Sequence, residues 1–247
     1  MTAKMIVARC LICRHSCHCC HENEFRFVLT NKNQHGTIKS TIKSVWGFVD
    51  MNKNIESLFK KNNGFLKAAD LYSAGATRKA VSSMLECGDI VRIKRGYYQF
   101  ASMDEPNEAA MIVKLFPEAI LCMDTALFHY GYSDRTPLEW NMAVSRGISK
   151  SRFNLTYPFI KPYYIDDKHL NIGVSKEIFD GIKVKIYDRE RVICDCLKHK
   201  NKMDSEMFGK AIQAYLNEPK KNIKNLAVYA KHLRVYKKAQ DLIGVWL

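Results

Sequence analysis

The chain has 247 residues, and its 39 lysines and arginines outnumber its 25 aspartates and glutamates, which gives a formal net charge of +14. This length can bury a sizeable core and fits two domains of about 100 to 150 residues each. The positive charge favours a polyanionic partner, with nucleic acid first, although charge alone does not separate DNA, RNA and an anionic membrane surface. No apolar run approaches the roughly 20 residues that cross a bilayer, and the N-terminus lacks an uninterrupted signal-peptide core, so a cytoplasmic protein is predicted.

Residues 1–50 carry no sustained helical or strand pattern. Five of the nine cysteines lie between Cys10 and Cys20, and the pair Cys10 and Cys13 has the spacing of half a zinc site. No second pair follows at the expected distance, so we assign no metal here and keep zinc as the alternative. Regular patterning begins after Met51. We therefore interpret residues 1–50 as a disordered or mis-assigned extension and Met51 as the start of the protein.

Residues 51–102 have the pattern of a winged helix-turn-helix. The first helix has three apolar residues on one side, namely Ile55, Leu58 and Phe59. A second helix is predicted over residues 66–74, and it ends at Gly75, a residue type that tolerates the positive φ common after helix ends. Its inward side comprises Leu66, Ala69, Leu71 and Tyr72. The sequence therefore predicts a tight turn at Gly75.

A third helix follows this turn. Thr77 is predicted to cap its start, because a threonine hydroxyl can accept a hydrogen bond from the free backbone amides there. Its buried side comprises Val81, Met84 and Leu85. Two helices joined by a glycine-containing turn, the second basic and hydroxyl-rich at its start, are typical of proteins that place a recognition helix in the major groove. The residues that we predict to contact DNA from this helix are Thr77, Arg78, Lys79, Ser82 and Ser83.

A positively charged hairpin completes this segment. Alternating residues from Ile90 to Lys94 predict a strand, and a turn at Arg95-Gly96 leads into a second strand ending at Phe100. Lys94 and Arg95 at the tip are predicted to contact backbone phosphates, which position a protein on DNA without reading its sequence. The alternative is that the whole segment is a packing or protein-interaction module whose charges only face solvent.

The remaining residues, 107–247, are predicted to form a mixed α+β domain. The stretch from Met103 to Asn107 combines proline with acidic and turn residues, so we place the domain boundary there. Beyond it, helical and strand patterns are interleaved, and Asp180-Gly181 predicts a hairpin turn between two strands. The predicted fold class of the whole chain is therefore α+β, with a winged helix-turn-helix before a mixed domain.

No set of residues in the chain forms a known catalytic motif. Asp166-Asp167-Lys168 resembles a metal-dependent nuclease element only weakly, because short acidic and basic turns are common at strand ends. His129 fits a packed or surface histidine better than a catalytic base. Asp188 and its neighbours up to Arg191 are explained by helix capping and local ion pairs, and an exposed, mixed-charge contact surface is the alternative. We predict no enzyme activity, no cofactor and no metal, and keep a metal-dependent nuclease as the less favoured alternative.

Three segments, taken in order and spacing, resemble a known family. They are GDIVRIKRGYY at the hairpin, ALFHYGY in the second domain, and YDRERVICD at the entry to a later helix. Together with the helix-turn-helix, they make the chain similar to the AbiEi antitoxins of type IV toxin-antitoxin systems from about Asn54 onward. Residues 1–50 have no counterpart in this pattern.

The resemblance implies a winged-helix transcriptional autorepressor that binds double-stranded DNA in its own promoter. It also implies a C-terminal domain needed for antitoxin action, and a toxin that is a nucleotidyltransferase and forms no stable complex with the antitoxin. Such pairs are associated with abortive infection by phage. The resemblance assigns no antitoxin residue in the second domain, and a protein- or RNA-interaction module stays open as the alternative function.

Overall fold

The computed structural model describes residues 54–101 and 107–243. The chain divides into two compact units, Met1–Pro106 and Asn107–Leu247. We call them the N-terminal and the C-terminal unit and describe each by itself. The predictions about residues 1–50, the cysteine-rich segment and the start at Met51 lie outside the described residues.

The N-terminal unit is a small helical bundle packed on a three-stranded antiparallel sheet. The strands lie in the order β1-β3-β2. The elements in chain order are 54–61 (α1), Phe65–Lys67 (β1), Ala68–Ser73 (α2), Arg78–Glu86 (α3), Ile90–Lys94 (β2) and Tyr97–Phe100 (β3). This succession is that of a winged helix-turn-helix with an additional short strand before the second helix.

One hydrophobic core joins all these elements. Ile55 and Phe59 of α1 are fully buried, and Val81 and Met84 of α3 are 3% and 4% exposed. They pack with residues from the other elements, namely Leu66, Leu71, Ala76, Ile90 and Tyr98. Because the predicted inward sides of α1 and α3 form this core, the outward side of α3 is left for solvent or a ligand.

The predicted second helix is wrong in its first residues. Leu66 belongs to strand β1, where it pairs with Tyr98 of β3, and the helix begins only at Ala68. Ala69 is exposed, and Tyr72 is 43% exposed, so neither lies on the inward side that we predicted. A three-residue strand is too short to show a period of its own, and its partner lies at the other end of the unit.

The C-terminal unit is a five-stranded mixed sheet with helices packed against it, which confirms the predicted α+β class. Its helices are Glu108–Leu115 (α4), Met123–His129 (α5), Asp167–Leu170 (α6), Arg189–His199 (α7), Ser205–Asn217 (α8), Ile223–His232 (α9) and Tyr236–Ile243 (α10). Its strands are Ile120–Leu121 (β4), Trp140–Ser145 (β5), Ile160–Ile165 (β6), Val174–Phe179 (β7) and Ile182–Tyr187 (β8). Two short 3₁₀ turns lie at Lys150–Phe153 and Lys200–Lys202.

The sheet has the strand order β6-β5-β4-β8-β7. The predicted hairpin is confirmed, because β7 and β8 are antiparallel and Asp180 and Gly181 between them have φ of 47° and 77°. In contrast, β5 runs parallel to β6, and β4 parallel to β8. Strands β4 and β8 are distant in sequence, and β5 and β6 are consecutive but too far apart for a tight turn, so no local turn signal announces either pair.

Helix α7 forms the centre of the C-terminal unit. Its residues Val192, Ile193, Cys194, Cys196 and Leu197 have no exposed surface. Burial raises the pKa of the thiols of Cys194 and Cys196, which keeps them protonated, as expected for cysteines that serve as core residues.

The same helix carries a buried ion pair. Arg191 Nε lies 3.1 Å from both carboxylate oxygens of Asp195, and its Nη1 donates to the carbonyls of His169 at 2.7 Å and Ile172 at 2.8 Å. The guanidinium also lies 4.1 Å from the centre of the Tyr187 ring. Because Nε and Nη1 find acceptors, this charge can be buried.

Within residues 54–101 and 107–243, no helix is both long and apolar enough to span a bilayer.

Candidate nucleic-acid interface

The turn between α2 and α3 has the geometry that the sequence predicts. Gly75 has a φ of +91°, a conformation that side-chain-bearing residues rarely adopt. The backbone N–H of Gly75 donates to the carbonyl of Tyr72, and that of Ala76 to the carbonyl of Leu71, both at 3.0 Å. Ala76 is then buried in the core. The turn is therefore fixed both by backbone hydrogen bonds and by packing.

Thr77 caps the start of α3, as predicted. It has extended backbone angles, and its hydroxyl oxygen accepts a hydrogen bond from the backbone N–H of Ala80 at 3.2 Å. The next two residues, Arg78 and Lys79, form the first turn of the helix. The cap therefore holds in place the backbone that carries these two cations.

The predicted contact residues of α3 lie on its outward side. Arg78, Lys79 and Ser82 are exposed, whereas Ser83 is half-buried. In the described part of the chain, neither Arg78 nor Lys79 has a carboxylate partner, so both charges are available to a ligand. Thr77 lies just before this side of the helix. The contact of all five residues with DNA remains a prediction.

The wing, which is the hairpin formed by β2 and β3, carries its charge at its turn. Gly96 has a φ of +80°, and Lys94 pairs with Tyr97 on either side of the turn. Arg95 is exposed, and Lys94 is half-buried. Their contact with phosphates also remains a prediction.

Two further cations lie on the wing or on the strand beside it, and the sequence analysis did not predict that they contact DNA. Arg92 of β2 is exposed and pairs with Tyr98. Lys67 of β1 is exposed, and its Nζ lies 5.9 Å from the centre of the Tyr97 ring. Lys67 was missed because β1 itself was not predicted, whereas the alternating pattern of β2 could have identified Arg92.

Helix α3 and the wing rest on one core. Met84 of α3 and Ile90 of β2 belong to the same buried cluster, together with Tyr98 of β3. The N-terminal unit therefore presents its cationic helix start and its cationic wing from one packed body.

The weak nuclease pattern has a structural explanation. Asp166 pairs with Arg146 at 2.8 Å and stands immediately before the short helix α6, whereas Asp167 and Lys168 are exposed. No three His, Cys, Asp or Glu side chains within residues 54–101 and 107–243 come together as a metal-binding group. The turn therefore offers no set of metal ligands in the described structure.

Two other polar positions of the C-terminal unit also have structural roles. His129 stacks on Phe179, with ring centres 5.5 Å apart, and burial lowers its pKa. Asp188 caps α7, since its Oδ1 accepts a hydrogen bond from the backbone N–H of Arg191 at 2.8 Å. The predicted packing of His129 and the predicted capping at Asp188 are therefore confirmed.

The N-terminal unit is thus a winged helix-turn-helix. Residues 54–101 match the family model described as transcriptional regulator, AbiEi antitoxin. This match confirms the resemblance to the AbiEi antitoxin family over these residues. It spans α1 to β3 and does not extend into the C-terminal unit.

The chain is also similar to the crystal structure of the RV2827C protein from Mycobacterium tuberculosis, with 12% sequence identity and a TM-score of 0.47. This likeness covers 79% of this chain and 81% of that one. No curated protein matched the chain.

Proposed function

We propose that this protein is a DNA-binding transcriptional repressor of its own operon and the antitoxin of a type IV toxin-antitoxin system. The observation that carries the proposal is the outward side of α3. Thr77 caps this helix, and Arg78 and Lys79 stand exposed at its start without carboxylate partners among the described residues. This side belongs to the segment that matches the AbiEi antitoxin family.

The start of a recognition helix enters the major groove, where arginine and lysine contact guanine edges or flanking phosphates. The wing tip, with Lys94 and Arg95, then lies against the sugar-phosphate backbone. Base contacts supply the choice of operator, and phosphate contacts supply affinity that falls with salt.

The antitoxin half of the proposal rests on the family. Its members act against a nucleotidyltransferase toxin, and we propose that this protein opposes such a toxin in the cytoplasm without a stable complex. The C-terminal unit is the part of the chain left to provide this activity. We propose no enzyme activity and no cofactor for it.

The first experiment measures binding of the full chain to the DNA upstream of its own gene. Scrambled DNA of the same length and composition is the control, and salt is varied from about 50 to 200 mM. A repressor is expected to keep its preference for the upstream DNA at the higher salt. Equal and salt-sensitive binding to both DNAs would overturn the repressor and favour a general polyanion-binding surface, with RNA or a protein partner tested next.

The antitoxin half has a separate experiment. The full chain is expressed together with the nucleotidyltransferase encoded beside its gene, and growth is measured. Rescue of growth without co-purification of the two proteins is the expected result. A failure of rescue would overturn the antitoxin role and leave the repressor proposal intact.

A further inference from the structure

The outward side of α3 is not uniformly cationic. Arg78, Ser82 and Glu86 follow each other at intervals of four residues, so they form one stripe along the helix. All three are exposed. The stripe therefore begins with a guanidinium and ends with a carboxylate, a change of charge sign within one recognition surface.

The two residues at the far end of the stripe are joined by a hydrogen bond. Ser82 Oγ donates to Glu86 Oε1 at 3.2 Å. No lysine or arginine in the described part of the chain forms an ion pair with Glu86. The carboxylate is therefore held by the hydroxyl and is otherwise open to the surroundings.

This hydrogen bond fixes what the pair can offer to a ligand. A serine hydroxyl has one hydrogen and two acceptor lone pairs, so donation of that hydrogen to Glu86 leaves the hydroxyl with acceptors only. The carboxylate has acceptors only. The Ser82–Glu86 pair therefore accepts hydrogen bonds and has none to donate, and its charge repels phosphate groups.

Only two groups in the major groove complement such a pair. Cytosine presents its N4 amino group and adenine its N6 amino group, whereas the exposed polar atoms of guanine and thymine are acceptors. Carboxylates typically accept from cytosine N4, and adenine is read by amides that also donate to its N7. An acceptor-only pair therefore favours cytosine.

We propose that Ser82 and Glu86 determine operator specificity by selecting a cytosine in the major groove. This inference rests on the proposed DNA-binding function. Ser82 lies four residues beyond Arg78, about 6 Å along the helix axis, which corresponds to roughly two base-pair steps. The half-site is thus expected to combine a guanine read by Arg78 with a cytosine about two steps away.

Glu86 contributes to specificity partly through repulsion. Its charge weakens contact with any DNA that places a phosphate or a base acceptor beside it, and only an amino group compensates for this loss. Selection against wrong partners by such a repulsive group is a general route to specificity. Removal of the charge is therefore expected to tighten non-specific binding while it reduces discrimination.

The test compares the base preference of the full chain with that of Glu86→Gln and Ser82→Ala. Binding is measured to variants of the operator DNA in which each base pair is replaced in turn. In the wild type, replacement of one cytosine is expected to weaken binding on the order of tenfold. In Glu86→Gln this preference is expected to vanish or to shift to adenine, because glutamine can both accept from N6 and donate to N7.

The matched control is Glu56→Gln, which removes one negative charge from α1 of the same unit. It is expected to keep the base preference of the wild type. Glu86→Gln is expected to bind scrambled DNA more tightly than Glu56→Gln does. Thermal unfolding of both variants verifies that they fold.

The outcomes separate this inference from the proposed function. If the wild type prefers its operator and Glu86→Gln retains the same base profile, the specificity role of the pair is wrong while the repressor stands. If the wild type shows no preference for the upstream DNA, the repressor proposal fails and the inference fails with it.

Discussion

The backbone N–H of Ala68 donates to the carbonyl of Gly96 at 2.8 Å, so the turn at the tip of the wing is bonded to the first residue of α2. Arg95 is the residue immediately before Gly96 in the chain. This hydrogen bond, together with the pairing of β1 with β3 and the shared core, fixes the position of the wing charge relative to the helix-turn-helix.

The first prediction concerns that glycine. Gly96→Ala adds a Cβ that meets no atom within 4 Å, but it places alanine at a φ of +80°. We expect a loss of about 1 to 2 kcal/mol in unfolding free energy from this strain alone, together with weaker binding to all DNA sequences. The control is Gly209→Ala in the interior of α8, where the added Cβ also meets no atom within 4 Å. It is expected to stabilise the chain by about 0.5 to 1 kcal/mol.

The second prediction concerns the helix cap. Thr77→Ala removes the acceptor for the Ala80 amide and is expected to cost about 1 kcal/mol. Operator binding is expected to weaken, because the first turn of α3 carries Arg78 and Lys79. Thr77→Ser keeps a hydroxyl and is expected to restore both properties. Urea unfolding and DNA binding measure the two effects, and an unaffected alanine variant would mean that the cap is dispensable.

The third prediction separates base contacts from phosphate contacts. Arg78→Ala is expected to weaken operator binding by about 1 to 3 kcal/mol and to relax specificity at one position. Arg95→Ala is expected to weaken binding to all sequences alike and to reduce the slope of log affinity against log salt by about 1. Titrations of operator and scrambled DNA at several salt concentrations distinguish the two. Identical behaviour of both variants would contradict the assignment of roles.

The fourth prediction concerns the buried pair in the C-terminal unit. Arg191→Met leaves Asp195 without its partner and the carbonyls of His169 and Ile172 without a donor. We expect a loss of about 3 to 5 kcal/mol in unfolding free energy. The double variant Arg191→Met, Asp195→Leu removes the orphaned charge and is expected to recover part of this loss. Chemical denaturation of both variants tests this, and additive losses would disprove the coupling.

The fifth prediction concerns pH. Burial, with Lys198, Lys202 and Lys238 nearby, holds the pKa of His199 below its ordinary value of 6.5. As pH falls, the unfolded chain therefore binds a proton at this histidine before the folded chain does. The contribution of His199 to the free energy of unfolding is intact above about pH 6.5 and is lost progressively below it. The melting temperature of His199→Gln is expected to fall less between pH 7 and 5 than that of the wild type. His232→Gln, at an exposed position on α9, is the control.

The parts of the fold that the sequence predicted are those governed by neighbouring residues. Gly75 and Thr77 each carry a local reason for their conformation, namely a positive φ and a capping hydroxyl. The Asp180-Gly181 turn likewise depends on two adjacent residues. The outward side of α3 followed from helical periodicity alone. Most of the candidate interface was therefore predictable.

The parts that were missed depend on contacts that no local sequence signal marks. Leu66 is a strand residue only because Tyr98 lies beside it, and the parallel pairing of β5 with β6 has no turn to mark it. The hydrogen bond from Ser82 to Glu86 is local, but only the structure shows that these two side chains meet. Tertiary pairing and side-chain orientation were thus the limits of prediction.

Strand β1 has a consequence for the order in which the N-terminal unit assembles. Its residues pair with β3, and the backbone N–H of Phe100 donates to the carbonyl of Gly64 at 2.9 Å, so the sheet is closed by the last strand to be made. During synthesis the ribosome delivers α1, α2 and α3 before any partner for β1 exists. The helices can form as they emerge, but the unit reaches its final packing only after Phe100 has left the exit tunnel.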